Sequence, residues 1–234
     1  MIRQLPLPLA FNPEFTFEEY HQACNAEAID HLRLAAKGTG EQFIYLWGPP
    51  GVGKTHLLHA CCRDAHRAGL TVSFVPVLEL QASDGEVLDG LEGQDLVCLD
   101  DLDVVAGVEC WEQAMFRLFN HTRDMGRGLI LSSSKPPGEL PLILPDLKTR
   151  LSWGLTLWLR ELADADKIAA LSLRAKLRGL ELPPTVGRYL LTNCRRDLPG
   201  LMALLERLDR ATLAAKRKLT IPFLKVFLEH ESLG

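Results

Sequence analysis

Residues 48–55 read Gly48-Pro49-Pro50-Gly51-Val52-Gly53-Lys54-Thr55, a complete phosphate-binding loop. Its setting gives the motif its weight. A strand-like apolar run, Gln42 to Trp47, precedes it, and an apolar-periodic stretch that reads as a helix follows. The glycines let successive backbone N–H groups turn inward around a phosphate, Lys54 reaches the outer phosphates, and the Thr55 hydroxyl can ligate Mg²⁺. The helix that begins here adds the positive end of its dipole to the same place. The expected phosphate-contacting set is therefore Gly48, Pro49, Pro50, Gly51, Val52, Gly53, Lys54 and Thr55, with His56 next on the helix. The ligand is expected to be a nucleoside di- or triphosphate.

Outward from this loop, short apolar runs alternate with longer amphipathic ones. Phe43–Trp47, Thr71–Val75, Leu96–Leu99, Leu129–Ser133 and Leu155–Leu159 read as strands. Helices are expected at 54–68, about 84–90, 110–125 and near 145–150. Such alternation implies a parallel sheet with helices on both faces. Beyond Ala163 the strand signal disappears, and 164–177, 183–194, 198–217 and 222–228 all read as helices, with Pro184, Pro199 and Pro222 at their starts. The expected fold is an α/β nucleotide-binding core over 11–160 followed by a small all-helical domain over 161–234.

Leu96-Val97-Cys98-Leu99 is an apolar strand ending in Asp100 and Asp101. In phosphate-loop proteins such a strand-end carboxylate holds Mg²⁺, and a second acid can polarise an attacking water. Asp100 is assigned to the metal and Asp101 to the water; Asp103 is read as part of a solvated loop. The run Ser132-Ser133-Ser134-Lys135-Pro136-Pro137 reads most simply as a turn. Arg150 can act across a subunit boundary on a neighbour's phosphates, or sit in a surface ion pair. Arg195 and Arg196, just before a helix of the small domain, can reach back to the nucleotide or be solvated.

Composition narrows the classes. The 234 residues are 47% apolar with a net charge of −4, so no global basic field points to nucleic acid. Residues 1–160 carry 13 basic and 21 acidic side chains, and residues 161–234 carry 13 and 9. The six cysteines form no C-x-x-C pair or zinc spacing, and no run of eighteen apolar residues occurs. Pro6 and Pro8 fall where a signal peptide would need an apolar helix. A soluble, reducing, cytoplasmic setting is the expectation, with no membrane partner.

These features, in this order, resemble the AAA+ ATPases and within them the initiator clade. LVCLDDLDVVAG (96–107), WEQAMFRLFN (111–120), SKPPGEL (134–140), DLKTRLSWGL (146–155) and NPEFTF (12–17) are similar to the replication initiator DnaA. That resemblance implies a sensor role for Ser134, where an Asp is usual, an arginine finger at Arg150, and a second sensor at Arg196. Two features set the chain apart from DnaA itself. It stops at Gly234 without the helix-turn-helix domain, and Gln4-Leu5-Pro6-Leu7-Pro8-Leu9 resembles the peptide that docks into the bacterial sliding clamp.

Gln4, Leu5, Leu7 and Leu9 are the expected clamp-binding residues, in an extended segment over 1–10. The combination resembles the Hda family of DnaA-related regulators. The family implies ADP or ATP with Mg²⁺, and weak or no turnover by the protein itself. It also implies stimulation of DnaA's ATP hydrolysis through Arg150, which inactivates the initiator and prevents re-initiation of replication. The implied partners are DnaA and the sliding clamp, with DNA reached only through the clamp and a homo-oligomer as an option. The alternatives are an AAA+ helicase loader or a DnaA-like ATPase acting on DNA.

Overall fold

The computed structural model describes residue 12 and residues 15–194 and 196–232, the side chains of 230–232 excepted. The chain divides between Glu161 and Leu162 into two compact units.

The first unit is built on β1 (Phe43–Trp47), β2 (Val72–Pro76), β3 (Leu96–Asp100), β4 (Gly128–Ser133) and β5 (Leu155–Trp158), around which pack α1 (Ala26–Ala36), α2 (Lys54–Arg67), the short α3 (Val77–Leu80), α4 (Glu109–Asp124) and α5 (Pro145–Leu151). The strands pair in parallel in the order β2-β3-β4-β1-β5. Both faces are covered, and the strand side chains divide between them residue by residue, because successive Cβ atoms point to opposite faces. Ile44, Leu46, Leu96, Cys98 and Ile130 pack with Ile29 and Leu32 of α1 and Leu57 and Leu58 of α2. Tyr45, Val97, Leu99, Leu129 and Leu131 pack with Trp111, Met115 and Phe119 of α4 and Leu147 and Leu151 of α5. The central strands β1, β3 and β4 are therefore apolar on both sides over most of their length, and read as continuous runs.

Three elements differ from expectation, one being the short α3, which was not expected. No α-helix forms over 84–90; short 3₁₀ turns at Glu86–Leu88 and Leu91–Gly93 stand there instead. Gly85 and Gly90 adopt φ of 77° and 87°, which interrupts any helical run. Helix α1 was not legible as a separate element, although Ile29, Leu32 and Ala36 form its buried stripe.

The second unit is helical: α6 (Asp164–Leu177), α7 (Pro184–Asn193), α8 (Leu198–Ala215) and α9 (Ile221–Ser232). Its core joins Leu171 and Ala175, Val186 and Leu190, Leu201, Leu204, Leu205 and Leu208, and Leu224. Proline opens α7 and is the second residue of α8 and α9, where the missing N–H costs no helical bond. Asp197 caps α8 by accepting a 2.8 Å hydrogen bond from the Gly200 amide. No described helix is long and apolar enough to cross a membrane.

Candidate nucleotide site

Residues 48–53 leave β1 and run into α2, which starts at Lys54. Gly51 and Gly53 adopt φ of 83° and 96°, a region an L side chain enters only with strain, and a Cβ at Gly48 would lie 2.4 Å from the Leu159 carbonyl. The loop thus needs glycine both for its curvature and for its approach to the end of β5. The buried Lys54 ammonium donates to the carbonyls of Gly48 (2.9 Å) and Pro49 (3.3 Å), folding over the loop it follows. Thr55 is exposed. A loop of inward-turning amides with a lysine across its mouth fits a polyphosphate.

An entry segment lines the same loop. Tyr20 donates its hydroxyl to the Val52 carbonyl (2.8 Å), and its ring would meet a Cβ at Gly53. The buried Asn25 amide contacts the Tyr20 oxygen (3.3 Å) and ties the segment to the Arg160 backbone in both directions, donating to its carbonyl (3.0 Å) and accepting from its N–H (2.9 Å). His56 sits with a ring nitrogen 2.7 Å from the Thr16 carbonyl and its ring against Phe15 and Tyr20. His59, one turn on, stacks on Phe74 at 4.1 Å. Tyr20 and Asn25 were missed in the sequence, since neither lies in a phosphate motif.

The carboxylates gather at the end of β3. Asp100 is buried and accepts from the Ser132 hydroxyl, whose oxygen in turn accepts the Asp101 N–H at 3.0 Å. That grip holds Asp101 at φ 58°, a left-handed conformation that aspartate tolerates better than most residues. Burial raises the Asp101 pKa above the ordinary carboxylate value, and the neighbouring Asp100 charge adds to the shift.

Asp103 corrects the expectation of a solvated loop. It is half-buried and accepts from Ser134 twice, from the amide at 2.9 Å and the hydroxyl at 2.5 Å. Burial works against its charge, but these hydrogen bonds outweigh it and hold Asp103 below the usual carboxylate range. The three serines of the β4 tip are likewise more than a turn: each has its hydroxyl committed to a carboxylate or a local amide, and the Ser134 proton faces Asp103. The topology explains the meeting. β4 lies between β3 and β1, so its tip separates the carboxylates from the phosphate loop. Burial lowers the Lys54 pKa, and Asp101, Asp100 and Asp103 all act to raise it.

Arg150, on α5, does not project. Its guanidinium lies over the rings of Trp153 (4.8 Å), Phe116 (5.1 Å) and Phe119 (5.7 Å), and Nη1 is buried without an acceptor among the described residues. Arg196 belongs to the second unit, where Nε donates to the Leu191 carbonyl at 3.2 Å and the head stands near Asp164. Arg195 and the expected clamp peptide, with Gln4, Leu5, Leu7 and Leu9, lie outside the described residues. Among the described residues no cluster of three or more His, Cys, Asp or Glu side chains has metal-holding geometry. Thr55, Asp100 and phosphate oxygens are a fitting donor set for a hydrated Mg²⁺, which keeps several waters.

Residues 11–158 match the model of the bacterial DnaA ATPase domain. The chain belongs to that family. Residues 164–228, behind it, match the lid domain of Hda. Domain III of the Thermotoga maritima replication initiation protein DnaA superposes with a TM-score of 0.80 at 20% identity, over 94% of this chain and 98% of that one. AMPPCP-bound DnaA from Aquifex aeolicus is 26% identical with a TM-score of 0.68, over 84% of this chain and 66% of that one. The Thermotoga maritima RuvB branch-migration motor shares the fold at 18% identity and a TM-score of 0.65, over 87% of this chain and 67% of that one. The protein is thus a DnaA-related AAA+ protein with an Hda-type lid.

Proposed function

We propose that this chain is a nucleotide-bound regulator of replication initiation, which docks on the sliding clamp and stimulates ATP hydrolysis by DnaA. The observation that carries the reading is the pairing of a DnaA ATPase domain over 11–158 with an Hda lid over 164–228. Each part of the site then has a task. The loop amides and Lys54 hold the phosphates of ADP or ATP, and Thr55 and Asp100 hold Mg²⁺, which neutralises phosphate charge when bound. Asp101, with its raised pKa, orients a water. Arg196 has the role of second sensor.

Arg150 acts in trans. A guanidinium presented to a neighbour's phosphates stabilises charge that develops only in the transition state, so it speeds hydrolysis without being needed for the protein's own nucleotide binding. The stacked position of Arg150 leaves Nη1 without an acceptor among the described residues, a donor that a neighbour's phosphate would satisfy. Gln4, Leu5, Leu7 and Leu9 anchor the protein to the clamp, and DNA is reached through the clamp. Turnover at its own site is weak, and it works in the cytoplasm.

The test mixes ATP-loaded DnaA, DNA-loaded sliding clamp and this protein, and follows ADP formation on DnaA. Stimulation by the wild type, lost on removing residues 1–9, is expected. Stimulation that survives that deletion would discard the clamp peptide. No stimulation at all would favour a helicase loader.

A further inference from the structure

Where Arg150 can reach is set by α5, the helix that carries it. That helix runs only from Pro145 to Leu151, with Leu147 and Leu151 as its buried residues. So short a helix is unstable unaided, because its first turn fixes several residues for a single hydrogen bond. Leu144, which opens it, carries no side-chain cap. The placement of α5 therefore depends on what holds it from outside. A polar hold comes from α4, where Glu112 is fully buried one turn before Phe116. One carboxylate oxygen accepts the amides of Gly107 (2.7 Å) and Ile143 (3.0 Å), and the other accepts those of Ile143 (3.0 Å) and Leu144 (2.7 Å).

A carboxylate with no exposure is a costly way to fill a core, since an apolar side chain there would have no desolvation to overcome. What it supplies is position. The Leu144 amide is one of the orphan donors at the head of α5, and Glu112 satisfies it from a different helix. Gly107 lies against the same segment, so close that a Cβ on it would stand 3.3 Å from the Pro141 carbonyl. Glu112 thus fastens the loop after β3 and the loop before α5 to one point on α4. Toward the other end of α5 the Arg150 guanidinium lies 5.1 Å from the Phe116 ring centroid. Arg150 stands nearly two turns beyond Leu144, about 9 Å at 1.5 Å per residue, so a tilt of about 15° at the head of α5 moves it by roughly 2 Å. A group that must meet a developing charge tolerates less: a misplacement of about 1 Å can cost on the order of 10²-fold in rate.

We infer that Glu112 is a positioning residue for Arg150: by holding the amides of Ile143 and Leu144 it sets where α5 presents the guanidinium to a neighbour's phosphates. Glu112 itself touches no reacting bond. The inference rests on the reading of Arg150 as acting in trans.

The experiment titrates the full chain into ATP-loaded DnaA with DNA-loaded sliding clamp. It reads the maximal rate of ADP formation and the concentration that gives half of it, beside ADP affinity by calorimetry and a thermal melt of each variant. Glu112→Met keeps the bulk and removes both acceptor oxygens. It should lower the maximal rate about tenfold or more, with the half-maximal concentration and own-site ADP affinity within about twofold of wild type. Glu112→Gln keeps one acceptor oxygen and should recover part of the rate. Ile29→Ala, a core truncation in α1, controls for lost stability alone and should keep the wild-type maximal rate at a temperature where it is folded. If Glu112→Met melts below the assay temperature, Glu112→Asp, whose shorter stem withdraws the acceptors, takes its place. A folded Glu112→Met or Glu112→Asp with the wild-type maximal rate, or one that loses only apparent affinity for DnaA, overturns the inference. A wild type that gives no stimulation overturns the function beneath it, a failure visible without any variant.

Discussion

The Arg150 guanidinium is stacked on Trp153, 4.8 Å from its ring centroid, and shares that position with the rings of Phe116 and Phe119. Trp153 itself remains 59% exposed, with Arg123 over it at 5.9 Å. Cation–π contacts of this kind contribute about 0.5–2 kcal/mol each, while a buried donor without an acceptor costs about 1–3 kcal/mol. At the low end of these ranges the three ring contacts together only modestly exceed the cost of the one unpaired donor, so the stacked arginine is held weakly.

Arg150→Ala should therefore lower stability modestly, by about 1 kcal/mol, which is a shift of roughly 2–4 °C for a chain of this size. Own-site ADP affinity should stay within twofold or so. Stimulation of DnaA should fall by on the order of 10³ if the side chain acts in trans. Arg150→Lys keeps the charge over the rings but lacks the planar fork, and should recover stability without recovering stimulation. Retention of full stimulation by Arg150→Ala would end the arginine-finger assignment.

Lys54→Ala should weaken ADP binding at least about tenfold, or 1.4 kcal/mol. The ammonium bridges the Gly48 and Pro49 carbonyls, so its loss also frees the loop. Calorimetry on the full chain measures the affinity. The nucleotide-dependent rise in melting temperature expected of the wild type should shrink in parallel, because a ligand of the native state stabilises by mass action.

Glu112 was not singled out by any motif, yet it is fully buried and carries two loops. Its carboxylate accepts from the amides of Gly107 (2.7 Å), Ile143 (3.0 Å) and Leu144 (2.7 Å). Glu112→Ala strands three backbone donors, each costing about 1–3 kcal/mol, so a loss of roughly 3 kcal/mol or more is expected in urea melts. Glu112→Gln retains an acceptor and should lose less. Equal melts for the two variants would mean the amides find other partners.

His59 should make stability fall on the acid side. Burial against Phe74 lowers its pKa below the ordinary 6.5, with the distant Asp100 charge opposing only in part. Below pH 6.5 the unfolded chain takes up a proton that the folded one resists, so stability declines as pH drops from there to the lowered folded value, and then levels. His59→Phe should remove that part of the slope between pH 7 and 5. An identical pH profile in the variant would place the proton uptake elsewhere.

The sheet was legible because its causes are local. A parallel strand covered on both faces is apolar along its buried length, and Phe43–Trp47, the run 96–99 and the run 129–131 show that directly. The phosphate loop was legible because its curvature demands glycines at fixed spacing. The absence of a helix at 84–90 was harder to see, since two glycines only five apart leave an apolar pattern while breaking the backbone that would use it.

The sequence by itself settled the fold class, the phosphate loop and the acidic strand end, because each depends on neighbours within a few residues. Tertiary structure decided which distant groups meet there. It brought the serines at 132–134 to the carboxylates at 100–103, Tyr20 and Asn25 to the loop and the end of β5, and Glu112 to the amides at 143 and 144. Hydrogen bonds between residues some thirty or more apart follow from strand order, and strand order leaves no periodic trace in the chain. That is why Asp103 reads as solvated in the sequence and is locked in the fold.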